Sequence, residues 1–216
     1  MTTRRRWLIV SVALLALVVL GLAATQEAAL WWGARDPAAE ARELASLLQI
    51  KPGDVVAEIG AGGGEIARVI AGRVTPGGRL IVTEVSDSRL AGLHSMVSSE
   101  HLAHVEVRQG ETHATALPDA CCGVIYMRHV YHHFEDTAAM NASLRRTLAP
   151  GGRLAIIDFE PGMILGWIAP NNARQGHGVT IEEVGRELAS AGLVVEHEDA
   201  EWRPGMFLIV STRPSE

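Results

Sequence analysis

Val55-Val56-Ala57-Glu58-Ile59-Gly60-Ala61-Gly62-Gly63-Gly64-Glu65 is the stretch on which the fold turns. Its first five residues are mostly apolar and short enough for a buried strand. The glycines at 60, 62, 63 and 64 then break the run. Glycine lets a backbone turn tightly and lets another group approach it closely. Glu65 to Arg73 reads as a helix, so the unit is strand, glycine turn, helix. Lys51-Pro52-Gly53-Asp54 marks the turn that precedes it. Such a unit opens α/β sheets whose ligands bind beyond the carboxyl ends of the strands.

Working outward, helix and strand signals alternate. Asp36-Pro37 supplies an N-cap and a first-turn proline for a helix reaching about Gln49. After the glycine turn, Pro76-Gly77-Gly78 leads into a strand from Arg79 to Thr83 that ends at Glu84. Residues 87–99 read as an amphipathic helix with Leu90, Leu93 and Val97 on one face. Val105 to Val107 and Val124 to Met127 are further strands. Asp136 to Leu148 is a helix, Ala149-Pro150-Gly151-Gly152 a turn, and Leu154 to Ile157 a fifth strand ending at Asp158. Thr180, with Glu183 three residues on, is a capping box opening a helix to Ala191. Val194-Val195 and Phe207 to Val210 complete seven strands. This alternation implies βαβ units, a mostly parallel seven-stranded sheet and helices on both faces. Glu160 to Gly178 is the one long irregular segment, of a length often used for a lid or binding loop.

Composition narrows the class. The 216 residues are 48% hydrophobic and 20% charged, which suits a packed core and excludes a disordered or collagenous chain. A net charge of −6 argues against a nucleic-acid surface. Lys51 is the single lysine. Cys121 and Cys122 are adjacent, so they cannot staple a disulfide framework or complete a four-ligand zinc site, and they read as buried thiols.

The mean hydropathy of +0.15 has a local source, Trp7 to Ala24. This run carries no charge and follows Arg4-Arg5-Arg6. A helix of that length spans about 27 Å, against roughly 30 Å of bilayer core. Trp31 and Trp32 follow as a possible aromatic belt. The readings are a single-pass anchor, a cleaved secretory peptide ending near Gly21-Leu22-Ala23, or a buried helix. The run is long for the second and apolar all round, which disfavours the third. Thr3 to Leu8 also resembles a twin-arginine export signal. We therefore divide the chain into a membrane or signal segment (1–24), a linker (25–36) and a globular domain (37–212). Counting Arg4, Arg5 and Arg6 against Arg35 and Arg42 places the domain on the trans side by a modest margin.

The strand ends carry the chemistry. Beyond the first lies the glycine turn, beyond the second Glu84, beyond the third Gly110-Glu111, and beyond the fourth Arg128-His129-Val130-Tyr131-His132-His133. Glu84 is placed to accept hydrogen bonds from a ribose diol. A dinucleotide loop wants G-x-G-x-x-G, but Glu65 occupies the third position, where it would face a pyrophosphate. The spacing E-x-G-x-G-x-G is met instead at Glu58, Gly60, Gly62 and Gly64. Acidic residues there suit a cationic ligand better than a phosphate. A nicotinamide oxidoreductase is disfavoured on the same ground.

At these motifs the chain resembles the class I S-adenosylmethionine-dependent methyltransferases, small-molecule type, and is similar to their ubiquinone/menaquinone-biosynthesis group. VVAEIGAGGGEIA (55–67), VTEVSDSRL (82–90), GETHATALP (110–118), MRHVYHHFED (127–136) and LAPGGRLAIIDFEPG (148–162) carry the resemblance in order. Glu111 stands where the family usually has Asp, and Gly123 where many members carry Asp. The resemblance implies a Rossmann-like doubly wound sheet and S-adenosyl-L-methionine as cofactor. It implies that Gly60, Ala61, Gly62 and Gly64 line the methionine and ribose. Glu58 would hold the loop or the amino group, Glu84 the ribose hydroxyls, Glu111 the adenine amine, and Arg128 and His129 would flank the methionine moiety and the acceptor.

Methyl transfer needs a base only when the acceptor has a proton to lose. His129, His132, His133 and Tyr131 are the candidates. No metal site is expected. The implied function is methyl transfer to a small or lipophilic acceptor. The alternative is a non-catalytic domain that keeps the fold and binds a nucleoside or a partner.

Overall fold

The central strands bury both faces, because alternate side chains enter two separate cores, whereas the edge strand 194–203 is largely exposed. The structure is a computed structural model that describes residues 36–161 and 178–215. Its elements are α1 (Pro37–Leu47), β1 (Val55–Ile59), α2 (Glu65–Val74), β2 (Arg79–Glu84), α3 (Asp87–Ser99) and β3 (Val105–Gln109). They continue with β4 (Cys122–Arg128), a 3₁₀ turn (Tyr131–His133), α4 (Thr137–Thr147), β5 (Leu148–Asp158), α5 (Ile181–Ser190), β6 (Val194–Arg203) and β7 (Met206–Thr212).

The strands form one sheet in the order β3-β2-β1-β4-β5-β7-β6. Pairing is parallel from β3 through β5, and β7 runs antiparallel to both neighbours. Val56, Leu80, Val82, Val124 and Tyr126 pack with Leu44, Ile66, Ile70 and Leu93 of α1–α3. Ala57, Ile81, Ile125 and Met127 pack with Met140, Leu144, Val184 and Leu188 of α4 and α5 on the opposite face. The expected doubly wound architecture is therefore present. Its strand order reverses between β1 and β4, which is where such sheets open a crevice for ligands.

Local signals behave as their chemistry dictates. Thr180 Oγ1 accepts the Glu183 N–H at 3.2 Å, half of the expected capping box. Asp136 caps α4 by accepting the Ala139 N–H at 2.9 Å. Three expectations need correction. On α3 the third buried residue is Met96, with Val97 only partly covered. The turn expected at 149–152 is instead a bulge inside β5: Cys122 pairs Leu148 and Val124 pairs Arg153. Gly151 and Gly152 there are held by Arg213 at the end of β7, through N–H···O bonds of 2.9 Å each way. Cys121 and Cys122 are bonded to each other. Adjacency rules out a framework but leaves the two sulfurs within reach of one another.

The apolar run Trp7 to Ala24, expected to form an N-terminal hydrophobic helix, and most of the irregular segment (162–177) lie outside the described residues. Among the described residues no helix is long and apolar enough to cross a membrane.

Candidate active site

The glycine turn is built by backbone geometry and gripped by β2. Gly60 and Gly62 have φ of 72° and 57°, the left-handed region that favours glycine. A Cβ on Gly60 would lie 2.5 Å from Val130, so this glycine lets the segment after β4 pack onto the loop. A Cβ on Gly62 would meet nothing within 4 Å, leaving open space above the turn. Ala61 N–H donates to Thr83 O at 2.8 Å. Gly62 N–H donates to Glu84 Oε2 at 2.9 Å, which brings together the loop and the strand-end carboxylate expected to share a ligand. The other oxygen, Oε1, accepts the N–H groups of Val85 and Ser86 at 2.9 and 3.0 Å. Val85 is 52% exposed beside this junction, one of two exposed large hydrophobic residues among the described residues.

Glu58 lies at the end of β1 and is 3% exposed. Its Oε2 accepts the Tyr126 hydroxyl at 2.8 Å. Burial pushes its carboxyl up to about 8. Arg128, expected beside the cofactor, is turned to α1: its Nε lies 3.0 Å from both oxygens of the buried Glu40. Trp202 Nε1–H donates to the same carboxylate at 3.3 Å. This tie joins residues 88 positions apart, a distance no local pattern announces.

The four candidate bases separate once the chain folds. His129 is held at φ 57°, a conformation rare outside glycine, with its N–H on Ile157 O at 2.8 Å. Its ring stands edge-on to Phe159, and Nε2 lies 2.8 Å from Met206 Sδ. Burial first, then the Arg128 charge, lowers it to about 4, so it is neutral at physiological pH. Tyr131 points away into the α4–α5 core. Its hydroxyl donates to Glu187 at 2.8 Å and accepts from Asn141 at 2.7 Å, which makes it a packing residue. His133 is exposed on the 3₁₀ turn, lowered by partial burial and by the neighbouring His132.

His132 is different. It is 4% exposed, and its Nδ1 lies 2.8 Å from Oδ1 of the fully buried Asp158. The His132 backbone N–H donates to the other carboxylate oxygen at 3.1 Å. A carboxylate on Nδ1 fixes the tautomer that leaves Nε2 as the basic nitrogen. Nε2 has no hydrogen-bond partner among the described residues. Asp158 was visible in the sequence only as a strand end. Its role depends on β5 lying beside β4, which no spacing reveals.

Glu111 is 49% exposed and lies 3.5 Å from His113, while the adjacent Gly110 N–H donates to Glu84 O at 2.8 Å. The loop that bears it therefore borders the site. No group of three or more metal-ligating side chains occurs among the described residues. The open space at Gly62, the Glu84 carboxylate, the exposed Val85 and the uncompensated Glu58 carboxyl together fit a ligand with a diol, a flat apolar ring and a cationic end.

Comparison with known proteins gives the following. A family described as a methyltransferase domain matches residues 57–156. The chain is similar to a ubiquinone/menaquinone biosynthesis C-methyltransferase from Teredinibacter turnerae, 28% identical over 51% of this chain and 45% of that protein. It is also similar to a phosphoethanolamine N-methyltransferase from Triticum aestivum, 29% identical over 80% of this chain and 34% of that protein. The chain spans less than half the length of these two curated relatives. Among solved structures, a SAM-dependent methyltransferase from Aquifex aeolicus superposes with a TM-score of 0.70, at 22% identity over 82% of this chain and 89% of that one. That likeness establishes the fold.

Proposed function

We propose that this chain is a class I S-adenosylmethionine-dependent methyltransferase that methylates a small or lipophilic acceptor whose attacking atom carries a proton, a reading supported by the matched methyltransferase domain and its relatives. The observation that carries this reading is the His132–Asp158 pair, anchored beside the glycine turn through Val130. The cofactor supplies a methyl group already activated on a sulfonium, open to in-line displacement. Glu84 and the Gly62 turn would hold its ribose, and Val85 would offer an apolar contact to its adenine. His132 Nε2 accepts the acceptor's proton as the acceptor attacks, and Asp158 stabilises the imidazolium that results. Phe159 and Met206, with the neutral ring of His129 between them, offer an apolar flank to the acceptor. By their names the two relatives act at carbon and at nitrogen.

Calorimetric titration of the full chain with S-adenosylmethionine should show saturable binding. Glu84→Ala should weaken it by about 10- to 150-fold, corresponding to roughly 1.5–3 kcal/mol for hydrogen bonds to a charged group. Unchanged affinity in the variant removes the ribose assignment. Saturation by NAD but not by S-adenosylmethionine overturns the reading.

We also propose that Trp7 to Ala24 anchors the chain in a membrane with the domain on the trans side. The charge-free apolar run and its three-arginine head support this. A C-terminal alkaline phosphatase fusion should be active, and a cytoplasmic fluorescent reporter dark. The opposite pattern reverses the topology. Neutralising Arg4, Arg5 and Arg6 should shift the balance between the two reporters.

A further inference from the structure

Glu58 and Tyr126 face each other across parallel neighbours, in register on β1 and β4. The Tyr126 hydroxyl donates to Glu58 Oε2 at 2.8 Å. Oε1 has no hydrogen-bond partner among the described residues. No Lys, Arg or His makes an ion pair with Glu58 among them either, because Arg128 is committed to Glu40 at 3.0 Å. The charged and titratable groups around Glu58 are few. Tyr126 and Arg128 face it from β4 and Glu65 from α2. On β2 its neighbour is the neutral Val82, and Glu84 beyond is turned to the N–H groups of Gly62, Val85 and Ser86.

A carboxylate buried without a counter-charge is costly, and the group relieves that cost by keeping its proton. We infer that Glu58 and Tyr126 are a proton-holding pair, so that arrival of the ammonium group of the cofactor's amino-acid end at the glycine turn expels one proton from Glu58 Oε1 to solvent. The inference rests on the cofactor reading above and adds to it a coupling and a positioning residue. The balance is simple: the Oε1–H bond breaks, the carboxylate pairs with the ligand's positive charge, and the buffer takes the proton. Tyr126 keeps one oxygen engaged in both states. Burial and Glu65 favour the protonated form, while the Tyr126 hydroxyl and Arg128 oppose it, leaving Glu58 at about 8. At pH 7 that value corresponds to about nine-tenths protonated. Tyr126 itself is raised well above its ordinary value, chiefly by burial, and remains a phenol throughout.

The test is calorimetry on the full chain in buffers of different ionisation enthalpy, with S-adenosylmethionine as ligand. At pH 7 the parent should release about 0.9 proton more per ligand bound than Glu58→Gln, a difference in which the ligand's own titration cancels. At pH 8 Tyr126→Phe should release more than the parent, whose release is then about one half, because the bond that lowers Glu58 is gone. A merely structural tyrosine would not move that count. Methylthioadenosine, which lacks the amino-acid end and its ammonium and whose sulfur is uncharged, should bind the parent without this release, and it serves if Glu58→Gln does not fold. Tight binding of S-adenosylmethionine with no buffer dependence overturns the coupling and leaves the cofactor reading intact. Failure to bind S-adenosylmethionine at all overturns the cofactor reading first.

Discussion

His132→Gln should lower kcat by about 10²–10⁴-fold, the usual contribution of a positioned general base. The affinity for S-adenosylmethionine should stay within about twofold, because His132 takes no part in the loop–Glu84 junction. The measurement needs an acceptor, found by transfer of labelled methyl to a panel of phenols, enols, alcohols and amines. Asp158→Asn should lose nearly as much activity. An amide in place of the carboxylate at 2.8 Å from Nδ1 no longer enforces the tautomer that leaves Nε2 basic. Asp158 also accepts the N–H groups of His132 and Phe159 at 3.1 and 2.9 Å, so this variant should melt lower than His132→Gln. His129→Gln serves as the contrast. Its ring is already neutral and packed against Phe159 and Met206, so kcat should fall by far less. Full activity in His132→Gln would move the base to another residue.

Glu58→Gln should be more stable than the parent in alkali, by on the order of 4 kcal/mol at pH 9, and close to it at pH 5. The Glu58 carboxyl has an ordinary value of 4.5 when unfolded and about 8 in the fold. Between those values the folded chain holds a proton that the unfolded chain has lost. The parent's stability therefore falls as pH rises through this window and levels off above it. Glutamine has no proton to lose, so the variant is spared that decline. His129 acts in the opposite sense on the acid side. It is lowered from 6.5 to about 4, so it favours the fold above 6.5, and this contribution is lost as pH falls towards 4. Both proteins should keep that acid limb. Urea midpoints of the full chain at pH 5, 7 and 9 provide the check. Parallel pH dependence in variant and parent would mean that Glu58 is not the proton-holding group.

Most of the fold and the glycine-turn half of the candidate site are legible in the residues themselves. Glycines at fixed spacing after an apolar run specify a turn that other residues adopt poorly, so Gly60, Gly62 and the strand feeding them are local facts. Glu84 could be placed for the same reason, because a strand's end is legible wherever its apolar run stops. Asp136 and Thr180 announce their helices through bonds made three residues away. These features share short range: the cause and the effect lie in one segment.

Tertiary structure alone decided which side chains act together. His129, Tyr131, His132 and His133 look equivalent in the chain, yet neighbouring elements give them different fates. Asp158 comes to His132 only because β5 is laid beside β4, 26 residues apart in sequence. Glu40 takes Arg128 across 88 residues, and Tyr126 reaches Glu58 across 68. Burial and partnership set whether a carboxyl is charged or an imidazole is basic, and both depend on contacts between segments. Residue type and local spacing carry the first kind of information, and the packing of the sheet creates the second.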